Sequence, residues 1–198
     1  MQRTLAAATA VIASTMLMSA AVASADNGSV TGTVTAKGVR TSANIVLSLQ
    51  APGLTVTAPK KPIEMDQKGM VFLPFVLPVV TGTTVKFLNS DPLPHNVFSP
   101  EGKYNLGTWP QGDTREYTYK KPGVYTQLCR VHTEMVAYVV VVDTPYFATT
   151  NGSGQFEIKD VPAGTYTLVG WGERLKKIEQ PVTVESGKAT SVNITMVR

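Results

Sequence analysis

The chain has one cysteine, two histidines and two tryptophans in 198 residues. A single cysteine cannot close an internal disulfide, so no cross-link of that kind holds the fold. Cys129 is therefore a buried thiol, a reactive thiol, an intermolecular link or a metal ligand. If any site needs two imidazoles, His95 and His132 must both serve it. Beyond residue 25 there is no long apolar run and hence no second candidate span. No stretch keeps helical spacing over ten residues with caps, which excludes a helical architecture. There is no methionine-rich tract: after residue 25 only Met65, Met70, Met135 and Met196 occur. Charge of neither sign clusters. The net charge is +4 and the basic residues are scattered among acids, the pattern of an ordinary solvated surface rather than a nucleic-acid footprint.

Residues 1–25 have one Arg, an apolar stretch from Leu5 to Val22, and Ala23-Ser24-Ala25 before Asp26. That order of features is a cleavable secretory leader. No cysteine marks a lipid anchor and no paired Arg precedes the apolar run, so general secretion into the periplasm, or another exported location, is expected. The competing reading is an anchor that is retained.

The chain beyond residue 25 is rich in strand signals. Val30, Gly32 and Val34 alternate with threonines. Ile45, Leu47 and Leu49 alternate, as do Val85 and Phe87, Tyr117 and Tyr119, Phe156 and Ile158, Tyr166 and Leu168, and Val192, Ile194 and Met196. Period-two alternation sends one face of each strand into a core. Turn signals such as "KPG", "NGSG", "PAG" and "ESG" separate them. "YVVVVD" at 138–143 is apolar on both faces, as in a strand buried from two sides. The fold class is therefore all-β, built from sandwiches.

The chemistry concentrates in "CRVHTEM", 129–135. Thiolate is a soft ligand, imidazole borderline and thioether weak and soft; together they suit copper cycling between Cu(I) and Cu(II). Zinc would ordinarily take four strong ligands, and an iron–sulfur cluster more cysteines. Cys129 should end a strand, Met135 should begin the next, and His132 lies in the loop between them. His95 arrives from elsewhere, in "DPLPHNVFSP". Each part alone has a plainer reading: a small buried Cys, a polar rim His, a core Met, or a thiol nucleophile with its base. The nucleophile reading leaves His95 unexplained.

The segments "GTTVKFLNSD", "PHNVFS", "KPGVYTQLCRVHTEM" and "AYVVVVD" are similar to the cupredoxins, the blue-copper family that includes plastocyanin, pseudoazurin and amicyanin. The similarity covers roughly 62–143, and the short C-x2-H-x2-M loop is the amicyanin version. The resemblance implies a Greek-key β-sandwich with one type 1 copper. It implies His95, Cys129 and His132 as strong ligands, Met135 as a weak axial one, and Asn96 as a brace between the ligand loops. It also implies a one-electron carrier, not an enzyme, working with a redox protein such as a cytochrome or dehydrogenase. The runner-up is a protein that stores or delivers Cu(I). Amicyanin and plastocyanin have Pro two residues after the Cys, whereas this chain has Val131. Val131 restores a backbone N–H that could donate to the sulfur. The runs "FLPFVLP" (72–78) and "PLP" (92–94) are candidates for an apolar docking rim.

A second resemblance concerns the C-terminal part. "GQFEIKDVPAGTYTLVGW" is similar to carboxypeptidase regulatory-like (transthyretin-like) domains. The opening elements of that family stand far upstream, as "GSVTGTVT" and "SANIVLSL". The expected organisation is thus a smaller β-sandwich split into 26–58 and 144–198, with the copper domain at 59–143 inserted. The alternative is two sequential domains, the first at 26–143. The combination resembles bacterial proteins labelled methylamine-utilisation proteins.

Overall fold

A computed structural model describes residues 26–198; the leader expected over 1–25 lies outside the described residues. Among the described residues every regular element is a strand. The chain begins with β1 (Gly28–Lys37) and β2 (Val46–Gln50). Nine strands come next: β3 (Ile63–Gln67), β4 (Phe72–Leu73), β5 (Val76–Val80), β6 (Thr84–Leu88), β7 (His95–Ser99), β8 (Tyr104–Trp109), β9 (Thr114–Thr118), β10 (Gly123–Leu128) and β11 (Val136–Val142). The last five are β12 (Phe147–Thr149), β13 (Gln155–Val161), β14 (Gly164–Trp171), β15 (Ile178–Val184) and β16 (Ala189–Val197).

These strands make two sandwiches. The terminal sandwich packs the sheet β13-β1-β16 on the sheet β12-β2-β14-β15. β1 is the central strand of its sheet, parallel to β16 and antiparallel to β13. β2 lies between β12 and β14. All strand partners of residues 28–50 therefore come from residues 147–197. The alternating residues do what their period requires: Val30, Val34, Leu47, Leu49, Ile158, Leu168, Ile194 and Met196 meet in one core. Gly32 interrupts the β1 series for a steric reason, since a Cβ there would overlap the carbonyl oxygen of Val192.

The central sandwich packs β5-β11-β10-β7-β8 on β4-β3-β6-β9. Its core includes Met65, Phe72, Val85, Phe87, Val97, Trp109, Tyr119, Cys129, Met135 and Val139. β11 has two apolar faces because it has two neighbours. Ala137, Val139 and Val141 point into the central core, while Val140 and Val142 meet Val46 and Val76, with Phe75, Tyr138, Phe147 and Trp171 packed around them. That second cluster joins the two sandwiches. Phe75 sits edge-on to Tyr138, with ring centroids 5.6 Å apart.

Side chains also close the ends of strands. Tyr125 donates its hydroxyl to the Lys121 carbonyl at 3.0 Å and Tyr166 to the Pro162 carbonyl at 2.9 Å. This is the upstream bond of the tyrosine corner found in β-sandwiches. In the central core the Tyr104 hydroxyl donates to Gln127 Oε1 at 2.6 Å and lies 2.7 Å from the Tyr119 hydroxyl. Burial pushes the Tyr104 phenol up to about 12, so it stays a neutral donor. Gln127 is fully buried by this network, two residues before Cys129, which fixes the end of β10.

Candidate metal centre

The site forms where β7 begins and β10 ends. His95 is the first residue of β7 and has no exposed surface. Asn89 shapes the loop before it: its amide donates to the carbonyls of Leu93, at 2.9 Å, and Trp109, at 3.1 Å, while its Oδ1 accepts the Asp91 N–H at 3.0 Å. The Asp91 carboxylate is thereby held against the His95 ring, with Oδ2 2.8 Å from Nε2. Two successive backbone donors from the β3–β4 turn complete its environment. Gly69 N–H reaches Oδ1 at 2.6 Å and Met70 N–H reaches Oδ2 at 2.9 Å. Both turn residues have left-handed backbone, with φ of 68° and 58°, and this aims adjacent N–H groups at one anion. Burial pushes the Asp91 carboxyl up, but the Met70, Gly69 and His95 hydrogen bonds outweigh it and hold the group below the usual carboxylate value.

This arrangement orients His95. A carboxylate accepts only, so the Nε2 facing it carries the proton and Nδ1 presents its lone pair. That Nδ1 lies 3.0 Å from Nδ1 of His132, with the rings 66° apart. Cys129 is 3% exposed, and one ligand atom from each of His95, Cys129 and His132 falls within 4.8 Å of the others. Two facing ring nitrogens beside a buried sulfur fit a cation between them, and the nitrogen–nitrogen–sulfur set fits copper. Met135 is buried in the same apolar cluster as Cys129, and its N–H closes the loop on the His132 carbonyl at 3.1 Å. The loop 129–135 thus delivers Cys129 and His132 to one point, with Met135 packed in the core beside them.

Asn96 ties the two ligand-bearing segments together. Its backbone N–H points to Cys129 Sγ at 3.4 Å, and its Oδ1 accepts the Arg130 N–H at 3.3 Å. Its Nδ2 donates to Asn105 Oδ1 at 2.8 Å and the Gly107 carbonyl at 2.6 Å. Val131 behaves differently from the expectation. Among the described residues Sγ receives only the Asn96 N–H, and Val131 turns outward, 47% exposed. The loop bends immediately after Cys129, and the second sulfur donor expected at Val131 is not made. The expected rim is also redistributed. Within "FLPFVLP" only Leu73 is a large exposed side chain, because Phe72 enters the core and Phe75 packs between the sandwiches. Asp91, the Gly69–Met70 turn and Asn89 received no role from the sequence; the one signal was an acid four residues before a histidine.

Residues 60–142 match the family model described as copper binding proteins, plastocyanin/azurin family. That stretch is the central sandwich, which is thus similar to the cupredoxins. Residues 135–197 match the carboxypeptidase regulatory-like domain. The two matches overlap on β11, whose partners β5 and β10 place it in the central sandwich. The regulatory-like match does not reach back to β1 and β2, though both pair with strands inside it. Solved structures similar to this chain include a purple cupredoxin from Nitrosopumilus maritimus, at 28% identity, covering 40% of this chain and 98% of that one, with a TM-score of 0.37. A copper-containing nitrite reductase from Thermus scotoductus shares 25% identity over 48% of this chain and 25% of its own, with a TM-score of 0.40. A reduced amicyanin variant, with tyrosine in place of one tryptophan, shares 22% over 48% of this chain and 98% of its own, with a TM-score of 0.40.

Proposed function

We propose that this chain is a type 1 copper protein that carries single electrons in the periplasm, with His95, Cys129, His132 and Met135 holding one copper ion. The supporting observation is the convergence of two ring nitrogens, 3.0 Å apart, beside a buried thiol in a cupredoxin domain. Bound copper supplies one-electron exchange. The protein supplies the rest. His95 and Cys129 sit in the core and keep water from the sulfur side. Asn96 and Asp91 fix donors on two separate segments, so the geometry changes little between oxidation states. His132 is only half-buried and offers the short way out to solvent. Four donors fill the site and leave no place for a substrate, which favours a carrier over an enzyme. Residues 1–25 supply the export.

The surface around His132 supports docking by another redox protein, such as a cytochrome or dehydrogenase. Among the described residues, five of the six large exposed apolar side chains, Met70, Val71, Leu73, Leu93 and Val131, lie on segments that carry or touch the site. Contact through these side chains is apolar, so the association should depend only weakly on salt. Copper-loaded protein should show an intense visible absorption and a reversible one-electron wave. Loss of copper to a Cu(I) chelator during cycling, without a reversible wave, would favour storage or delivery instead.

Two variants probe the ligand surroundings. Met135→Gln is expected to keep copper and lower the potential, since an amide oxygen favours Cu(II) more than a thioether does. An unchanged potential on voltammetry would leave Met135 as core packing. Val131→Pro removes an N–H that makes no bond to sulfur, so spectrum and potential should match wild type. A lowered potential would show that this N–H reaches the sulfur after all.

A further inference from the structure

We propose that Asp91 is a positioning residue that fixes the metal-facing side of His95 and biases the site toward the divalent ion; this rests on the copper reading above. Three observations carry it. First, Asp91 is buried, 7% exposed, and accepts hydrogen bonds from Gly69, Met70 and His95. Second, apart from the His95 contact, it has no ion pair among the described residues: the Lys and Arg pairs formed involve Glu157, Glu173, Glu179 and Glu185. Dipoles stabilise the negative charge without cancelling it. Third, the carboxylate contacts Nε2, while the other ring nitrogen, Nδ1, faces His132.

Elementary chemistry gives two consequences. A carboxylate only accepts, so Asp91 holds the ring N–H on Nε2 and leaves the Nδ1 lone pair aimed at the metal position. A carboxylate behind a ligating imidazole also raises its basicity. The charge count points the same way. With the Cys129 thiolate and the Asp91 carboxylate, the buried group is neutral around Cu(II) and carries one negative charge around Cu(I). Removing the Asp91 charge leaves one positive charge around Cu(II) and none around Cu(I). Burying net charge is unfavourable, so Asp91 stabilises the oxidised form and its loss stabilises the reduced form. The carboxylate also links His95 to the turn bearing exposed Met70, so the buried ligand is moored to the rim of the site.

The test compares full-length wild type with Asp91→Asn. Removing the hydrogen-bond partner of a ligating histidine costs roughly 10–100-fold in metal affinity. The variant is expected to lose Cu(II) affinity at least about tenfold more than Cu(I) affinity. For a one-electron couple each such tenfold raises the potential by about 59 mV. A variant that binds copper with wild-type affinities and potential overturns the proposal, because a merely structural Asp91 would not separate the two oxidation states. If Asp91→Asn does not fold, nitrogen-15 NMR of the wild type decides. The proposal requires a slowly exchanging His95 Nε2–H and an unprotonated Nδ1 in the Cu(I) protein; a freely exchanging or absent Nε2–H overturns it. If wild type shows no copper–thiolate absorption, the copper reading fails. The Nε2–H signal of the metal-free protein then still shows whether Asp91 holds that proton.

Discussion

Cys129→Ser protein is expected to stay colourless when Cu(II) is added, at concentrations where wild type becomes intensely coloured. The colour of such a centre belongs to the bond between copper and an electron-rich thiolate. A serine hydroxyl is a hard donor that stays protonated near neutral pH, so it supplies neither the charge nor the soft lone pairs. The chain has no other cysteine to take over. Ser is close to Cys in size, and the Asn96 N–H that now points to Sγ can donate to Oγ instead, so the fold should survive. A thermal melt beside the absorption spectrum separates the two effects. Retained absorption in a folded serine variant would remove Cys129 from the ligand set.

The second large effect concerns the terminal sandwich. Residues 144–198 alone are expected to be unfolded. They would lack β1, the shared partner of β13 and β16, and β2, the strand between β12 and β14. They would also lack Val30, Val34, Ile45, Leu47 and Leu49, five side chains of its core. Each such side chain contributes about 1.5–3 kcal/mol by burial. Five therefore approach the roughly 5–15 kcal/mol that is the whole stability of a typical domain. By contrast, residues 26–58 joined by a short linker to 144–198 should fold. The Leu49 N–H bonds the Tyr146 carbonyl at 2.9 Å, so β2 and β12 meet as the arms of a hairpin, and the central sandwich leaves where its turn would be. The joined protein keeps Trp171 as its one tryptophan, and its fluorescence should report a cooperative transition. A cooperative melt of 144–198 alone would contradict the split arrangement.

Much of this was legible in the sequence because strand periodicity and donor chemistry are local signals. The alternation of Val30, Val34, Leu47, Leu49, Ile158 and Ile194 could be read directly as one buried face per strand. The loop from Cys129 to Met135 declared its chemistry by composition, and the spacing brought His132 and Cys129 together. The strand at 138–143 announced a second neighbour by being apolar on both sides. Other parts depend on where separate segments meet. Asp91 looks like an ordinary loop acid until the left-handed turn at Gly69 and Met70 comes back to it, Met70 from 21 residues away. The Val131 N–H could have faced the sulfur or the solvent, and only the bend after Cys129 decides. Phe75 lies in a run that reads as a surface rim, yet a neighbouring sandwich covers it, and no pattern within 72–78 encodes that neighbour.

The central sandwich is joined to the terminal sandwich at two places in the chain, and the Val46–Val76–Val140–Val142 cluster fills the space between them. A domain attached by one strand can swivel; one attached by two, with packed side chains between, has no free hinge. The molecule then tumbles as a single body. Any surface that grips the terminal sandwich also sets the distance and angle at which His132 is presented. If the protein is the electron carrier proposed, the rate of charge passage in such a complex is governed by a fixed separation and not by the waiting time of a swinging arm.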